Sequence, residues 1–336
     1  MRRARLIEAN GAFYHIISRI IERRRILGTR EKEVFRQLMR KVEGFSGVRI
    51  LTWVALDSHW HILLHVPPRE EVSDSTLLER LAFLYPEDVV EEVRAKLAEY
   101  REDGLNVAAE LLKEKYTYRM YNLSEFCKTL KQRFSQYYNR NHNRCGTLWD
   151  QRFKSILVEH EDRAVQTVAA YIDLNPVRAG IVRDPKDYRF CGYGEAVGGS
   201  RQARHGLKLV ADWFGVKQPW SKVSASYRGY LFAKGETRTD RNGKPVRRGF
   251  EPERVEAVLK AGGRVPKHEM LRCRVRYFTD GLVLGSESFV EGIFNKYRDE
   301  FGLKRKTGAR PMKYGQWDGL CTMRDLRKAV IMIPSG

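Results

Sequence analysis

The segment VRILTWVALDSHWHILLHV, residues 48–66, decides the fold class. It predicts two strands, Val48–Leu56 and His59–Val66, because both runs are rich in branched and aromatic residues. Two polar residues separate the runs, and a pair of prolines closes the second. Strands joined this closely are expected to pair as an antiparallel hairpin.

The segments on either side of this hairpin predict further strands and helices in turn. Working outward, they are a strand at Ala12–Ile20, a helix from Thr29 to about Phe45, a helix from Ser124 to about Asn139, a strand within residues 146–158 and a helix from Ala164 to about Leu174. Thr29 and Ser124 are the expected N-caps. Asn175-Pro176 should end the last helix, because proline disfavours helical geometry in the residue before it. This order predicts an α+β fold, an antiparallel sheet with packed helices.

The chain divides by composition into four parts. Residues 1–198 form the expected main domain, interrupted at 69–119 by an acidic insert whose Glu, Leu and Ala content predicts helices. Residues 199–250 are expected to be a basic linker region, and residues 251–336 a mixed C-terminal extension that serves as a basic accessory module. Within this extension the pattern predicts helices at Glu251–Ala261 and Ser286–Phe301, and a β-hairpin over Arg272–Leu284.

The formal net charge of the 336-residue chain is +20 and is unevenly distributed. The insert carries −5, the rest of the first 200 residues +10, and residues 201–336 carry +15. Such an excess points to a polyanionic partner, and its partition predicts an insert that faces away from that partner. The alternative for the tail is a packing appendage with a solvated basic surface, but aromatic residues among its basic residues favour nucleic-acid contact: Trp213, Trp220, Tyr227, Tyr230, Tyr277 and Trp317.

The composition also narrows the cellular setting. The longest apolar runs are far shorter than the ~20 residues of a membrane-spanning helix, so no membrane partner is expected. No apolar stretch of signal-peptide length follows the N-terminus, and the five cysteines form no CxxC pair. These features favour a reducing cytoplasm, with the protein associated with the nucleoid if its polyanion is DNA.

Two pairs of residues carry candidate chemistry. His59 and His61 lie two apart on a predicted strand, so both imidazoles should project from the same face and share one cation. His65 has the same parity but lies about 13 Å further along, too far for that ion. Tyr171 and Asn175 stand four apart on a predicted helix, hence one turn apart on one face. Two imidazoles and an amide oxygen would leave open positions on Mg²⁺ or Mn²⁺ for a phosphate oxygen.

Three motifs resemble the HUH single-tyrosine transposases, most closely the REP-associated tyrosine transposases. They are His59-Trp60-His61, GTLWDQRFKS at residues 146–155 and YIDLNPVRAG at residues 171–180. The histidine pair precedes the tyrosine, as in that family, whereas conjugative relaxases have the opposite order. The resemblance covers residues 1 to about 195, apart from the insert, and implies a ferredoxin-like HUH nuclease core.

The resemblance also implies roles for individual residues. His59, His61 and Asn175 would be ligands of a divalent metal, Mg²⁺ or Mn²⁺, and Tyr171 the nucleophile of a single-strand DNA endonuclease and strand transferase. Its intermediate would be a 5′-phosphotyrosine, and its substrate single-stranded or hairpin-forming repeat DNA. Tyr137 and Tyr138 are competing nucleophiles, although neither is followed one turn later by a candidate ligand.

Basic residues outside these motifs are candidates for DNA contact. Arg152 and Lys154 alternate with Phe153 on the predicted fourth strand, which would place both on one face. The remaining candidates form an N-terminal arm: Arg2, Arg3 and Arg5. A solvated charged face is the alternative for Arg152 and Lys154, and an ordinary flexible basic terminus is the alternative for the arm.

Two other functions stay open at this point. The fold could belong to a noncatalytic nucleic-acid-binding protein, although the complete set of site residues argues against lost chemistry. An HUH replication initiator would share the chemistry but normally adds a helicase, and no GxxxxGK[ST] loop occurs in this sequence. The sequence leaves open whether the protein acts as a monomer or a homodimer.

Overall fold

The computed structural model describes residues 6–160, 164–212, 218–232, 238–239, 245–247, 267–301, 304–323 and 331–332. The strands are β1 Ala12–Arg19, β2 Arg49–Leu56, β3 His59–Val66, β4 Lys154–Val158, β5 Arg238–Thr239, β6 Pro245–Arg247, β7 Arg274–Val275, β8 Val283–Gly285, β9 Arg310–Pro311, β10 Cys321–Thr322 and β11 Ile331–Met332. The helices are α1 Thr29–Ser46, α2 Asp74–Leu81, α3 Glu87–Glu102, α4 Asn106–Thr117, α5 Leu123–Asn141, α6 Ala164–Asp173, α7 Asn175–Arg178, α8 Gly192–Val197, α9 Arg201–Asp212, α10 Trp220–Phe232, α11 Lys267–Met270, α12 Tyr277–Asp280 and α13 Glu287–Lys296.

The main sheet has seven strands in the order β2-β3-β1-β4-β8-β10-β9. Its first four strands pair antiparallel, with β1 between β3 and β4. The connection β1-α1-β2-β3-α5-β4 with this spatial order is the ferredoxin-like arrangement. The predicted α+β class, the antiparallel sheet and the β2-β3 hairpin are confirmed.

The two faces of this sheet pack against different helices. Trp60 and Trp53 lie on one face, where the ring of Phe35 from α1 contacts both, with centroids 5.5 and 6.3 Å apart. Phe134 from α5 packs on Phe35 at 5.6 Å. Thr52 lies on the opposite face and donates a hydrogen bond to α6. Alternation along the strands thus separates the aromatic core from the face that carries the two histidines.

Both predicted N-caps are off by one or two residues. Gly28, with extended backbone, is the N-cap of α1, and Thr29 is already helical. Asn122 caps α5, because its side-chain oxygen accepts hydrogen bonds from the backbone N–H groups of Ser124 and Glu125. An Asn placed there satisfies two helix-terminal N–H groups that Ser124 could not reach from inside the helix.

The acidic insert is helical, as predicted, and consists of α2, α3 and α4. Arg101 at the end of α3 holds these helices together through hydrogen bonds to Asp74 of α2 and Glu110 of α4. The insert packs against the main domain where Tyr85 contacts Phe45 of α1, with ring centroids 6.3 Å apart. No described helix is long and apolar enough to cross a membrane.

The region predicted as a basic linker, residues 199–250, is not a linker throughout. It contains α9 and α10, and α9 lies directly on the backbone of β2. A Cβ atom at Gly206 would lie 2.3 Å from the carbonyl oxygen of Ile50, so only glycine permits this approach. Residues 201–212 are strongly amphipathic, which is typical of a helix that packs on one face. The prediction of a linker took only their charge into account.

The predicted hairpin over Arg272–Leu284 is wrong. Tyr277–Asp280 is the helix α12, and β8 joins the main sheet parallel to β4. The backbone N–H of Leu157 donates to the carbonyl of Leu282, so the edge of β4 pairs with this segment of the extension. The predicted helix capped by Ser286 is present as α13 and ends at Lys296, while the predicted helix Glu251–Ala261 lies outside the described residues.

Several aromatic residues of the tail are part of the core. Tyr227, Tyr277 and Trp317 are all buried, so they cannot stack on bases in this arrangement. Tyr227 of α10 is held by a hydrogen bond to Asp173, whereas Tyr277 and Trp317 belong to the extension that β8 joins to the main sheet. The division into residues 1–198, 199–250 and 251–336 as domains stays a prediction.

Candidate functional site

A cleft of about 270 Å³ opens where β3, β1, α6 and α7 meet. Its walls include His59, His61, Tyr171 and Asn175, the four residues that the motifs singled out. Tyr137 and Tyr138 do not line it. They lie on α5, across the sheet, where Tyr138 stacks on His142 with centroids 4.1 Å apart.

The strand register places the two histidines. His59 is paired with Arg19 and His61 with Ile17 of β1, so all four side chains project from one face of the sheet. The rings of His59 and His61 have centroids 5.2 Å apart. The prediction that His59 and His61 project from the same face of the sheet is therefore confirmed.

The helix junction places the tyrosine and the asparagine. The prediction that Asn175-Pro176 ends the helix outright is only partly right, because α7 begins at Asn175 immediately after α6. Leu174 keeps near-helical dihedrals, φ −82° and ψ 0°, and its N–H bonds to the carbonyl of Ala170. Pro176 occupies the first turn of α7, where a missing N–H costs nothing. Tyr171 and Asn175 thus stay on one side of a nearly continuous helix.

A third histidine, which the sequence analysis did not single out, supports His61. The Nε2 atom of His15 lies 2.9 Å from Nδ1 of His61, and both rings are buried. Burial lowers the pKa of His15 to about 3 and, together with the neighbouring cations, lowers the pKa of His61 well below its ordinary value. Both imidazoles are therefore neutral at pH 7. The sequence did contain a signal for His15: on β1 it has the same parity as Ile17 and Arg19, so it projects from the same face of the sheet.

The donor set of the cleft fits a divalent cation. Nδ1 of His61 is engaged by His15, which leaves Nε2 as its ligand atom, and a neutral imidazole is the form that binds metal. The side-chain nitrogen of Asn175 is buried with no hydrogen-bond partner. Asn175 lines the cleft, and its amide oxygen is the atom that would bind a cation there. Among the described residues, no cluster of three His, Cys, Asp or Glu side chains could hold a metal ion by itself.

The cleft is cationic. Arg19, Arg23 and Arg178 line it, and none of the described residues in its wall is acidic. Arg23 and its neighbour Glu22 both have φ of 56°, an uncommon backbone geometry for non-glycine residues, at the rim of the cleft. The lining suits an anionic ligand.

The other residues that the sequence predicted to contact DNA lie in different surroundings. Lys154 begins β4 on the same sheet face as Ile17 and forms a 2.7 Å ion pair with Asp280. Arg152 is exposed and precedes β4, so the prediction that it shares a strand face with Lys154 is wrong. The N-terminal arginines Arg2, Arg3 and Arg5 lie outside the described residues.

Asp173, within the YIDLNP motif, anchors the end of α6. Its carboxylate accepts hydrogen bonds from Thr52 Oγ1 at 2.8 Å, the Tyr193 N–H at 3.0 Å and the Tyr227 hydroxyl at 2.7 Å. These donors belong to β2, α8 and α10. Burial raises the pKa of Asp173 to about 6 despite the three hydrogen bonds. The side chain fixes α6, and with it Tyr171 and Asn175, against the sheet.

The ferredoxin-like sheet, with two histidines on an inner strand and a tyrosine on the facing helix, agrees with the core that the motif resemblance implies. The family model described as "Transposase IS200 like" matches residues 9–80, which include β1, β2 and β3. The resemblance to this transposase family that was drawn from the motifs is confirmed.

The chain is also similar to a solved structure described as "Structure of the REP associates tyrosine transposase bound to a REP hairpin". The two sequences are 16% identical, the match covers 59% of this chain and 86% of the other, and the TM-score is 0.39. A comparison with curated proteins finds no match.

Proposed function

We propose that the protein is a metal-dependent single-strand DNA endonuclease and strand transferase that acts through a covalent bond to Tyr171. The observation that supports this proposal is one cleft that holds His59, His61, Tyr171 and Asn175 together. The match of residues 9–80 to a transposase family model agrees with DNA as the substrate. The motif resemblance suggests hairpin-forming or repeat DNA.

Each residue of the cleft has its own role in this proposal. His59, His61 and Asn175 hold a divalent cation, which when bound neutralises charge that develops on the scissile phosphate. The three cleft arginines bind the phosphodiester and its neighbours. His15 keeps the His61 ring oriented through their hydrogen bond.

Tyr171 carries the covalent step. Its hydroxyl oxygen loses a proton and attacks phosphorus, a P–O bond to Tyr171 forms, and the P–O3′ bond of the DNA breaks. The leaving 3′ oxygen takes up a proton, so the products are a 5′-phosphotyrosine and a free 3′-OH. Because one phosphodiester replaces another, a second 3′-OH can reverse the step and transfer the strand without ATP.

A denaturing gel tests the assignment. Incubation of the protein with a labelled hairpin oligonucleotide bearing a single-stranded flank, and Mg²⁺, should give a protein–DNA adduct that survives denaturation. Tyr171→Phe removes the attacking oxygen and should abolish this band, whereas Tyr138→Phe, across the sheet, should leave it unchanged. An adduct that persists in Tyr171→Phe would refute the role of Tyr171. DNA binding without any adduct in the wild type would favour the noncatalytic alternative.

A further inference from the structure

The ring of Tyr171 is enclosed on both faces. The guanidinium carbon of Arg178 lies 3.9 Å from its centroid, and the ring centroid of Phe278 lies 4.6 Å away. Groups at these distances stand over a face of the ring, and two of them cannot share one face. The rings of His15 and His61 contact the edge, each with its centroid at 6.4 Å.

Phe278 comes from the C-terminal extension, far from Tyr171 in the sequence. It is fully buried on α12, and the indole of Trp317 packs behind it with centroids 5.6 Å apart. The neighbouring Thr279 lines the cleft, and Asp280 pairs with Lys154 of β4. The next strand, β8, continues the main sheet. The position of Phe278 is therefore set by the sheet as well as by its own contacts.

Arg178 connects the same two parts of the chain. Its guanidinium donates to the carbonyl oxygens of Tyr171 and Leu271, each at 2.6 Å. The extension and the helix that carries Tyr171 are thus tied together beside the ring.

We propose that Phe278 is a positioning residue for the reaction of Tyr171, supplied by the C-terminal extension. With Arg178 on the other face, it limits rotation of the Tyr171 ring and directs its hydroxyl to the cleft. In-line attack depends on this orientation, and small misplacements cost large factors in rate. This inference rests on the proposed function.

Phe278→Leu tests the role because it keeps most of the apolar volume but loses the flat ring. The measurement is the single-turnover rate of adduct formation at saturating hairpin DNA, with the DNA concentration for half-maximal rate as the second readout. We expect the saturated rate to fall about tenfold or more, as for other lost orientation effects, with half-saturation within about twofold of the wild type. Phe278→Tyr, which restores a flat ring, should recover most of the rate.

Phe294→Leu is the matched control. Phe294 is also a buried phenylalanine of the extension, but it packs on Phe301 and does not contact Tyr171. It should lower the melting temperature to a similar degree without changing the saturated rate. Equal rates in Phe278→Leu and the wild type, or equal losses in both leucine variants, would overturn the inference. Absence of adduct in the wild type would instead contradict the proposed function.

Discussion

Replacement of Asp173 by Asn should change how the stability of the protein depends on pH. The folded carboxyl has its pKa raised from 3.8 to about 6 by burial. Well below pH 3.8 the group is protonated in both the folded and the unfolded chain and contributes nothing. Between pH 4 and 6 the unfolded chain ionises while the folded one keeps its proton, so the free energy of unfolding falls as pH rises.

The size of this effect follows from the difference between the two pKa values. A rise from 3.8 to about 6 corresponds to about 3 kcal/mol of lost stability at pH 7. In Asp173→Asn, the new side-chain amide would accept the hydrogen bonds of Thr52 and the Tyr193 N–H through its oxygen and donate to the Tyr227 hydroxyl, without an ionisable proton. The free energy of unfolding of Asp173→Asn minus that of the wild type should therefore increase by about 2 kcal/mol between pH 4 and pH 7, because part of the effect is already present at pH 4.

Urea unfolding at several pH values, followed by circular dichroism, measures this difference. Other titrating groups, such as His65 with its pKa lowered by burial to about 4, cancel because they are present in both proteins. Asp173→Ala is the second arm, because it leaves three buried donors without an acceptor and should cost several kcal/mol at every pH, about 1–3 for each donor. A difference between Asp173→Asn and the wild type that does not vary with pH would refute the reasoning, and a decrease would show that the hydrogen bonds outweigh burial.

Two further predictions concern the cation and the packing of α9. Mn²⁺ should bind the DNA-free protein, seen as loss of the free-ion signal in electron paramagnetic resonance, and His59→Ala should weaken this binding at least tenfold; undiminished binding would argue against the proposed ligand set, and a chelator should abolish the adduct. Gly206→Ala should lower the free energy of unfolding by about 1–3 kcal/mol, since its Cβ would meet the backbone oxygens of Ile50 and Leu51. Gly229→Ala in α10, with no atom near the new Cβ, should instead raise it by about 0.5–1 kcal/mol; equal effects of the two substitutions would contradict the close packing.

Local pattern was sufficient for the residues whose placement depends on local geometry. Strand alternation predicts that His59 and His61 share a face, and helical spacing predicts that Tyr171 and Asn175 lie one turn apart. The structure brings both pairs into one cleft. Spacing within the strand and within the helix does not predict that the two elements lie side by side. Only the family resemblance implied this.

The parts that the sequence did not predict depend on contacts between distant segments. Nothing near Phe278 indicates that it meets Tyr171, because that contact requires β8 to pair with β4. Because β8 pairs with β4, the segment Arg272–Leu284 does not form the predicted hairpin. Two other residues, unlike Phe278, do have a signal in the sequence. His15 has the strand parity of Ile17 and Arg19, and Arg178 lies within the YIDLNPVRAG motif. Their roles became visible only with the distances to His61 and Tyr171.

Residues 201–336 combine two properties that the composition alone could not separate. Their net charge of +15 suits contact with DNA, while two buried aromatic residues, Tyr227 of α10 and Trp317 of the extension, hold them against the main domain. Tyr227 donates a hydrogen bond to Asp173, and Trp317 packs on Phe278, so both connect to the helix that carries Tyr171. Removal of residues 201–336 would therefore lower DNA affinity and disturb Tyr171 at once. Substitution of exposed lysines should change the salt dependence of binding, whereas substitution of Phe278 should change the rate of the covalent step.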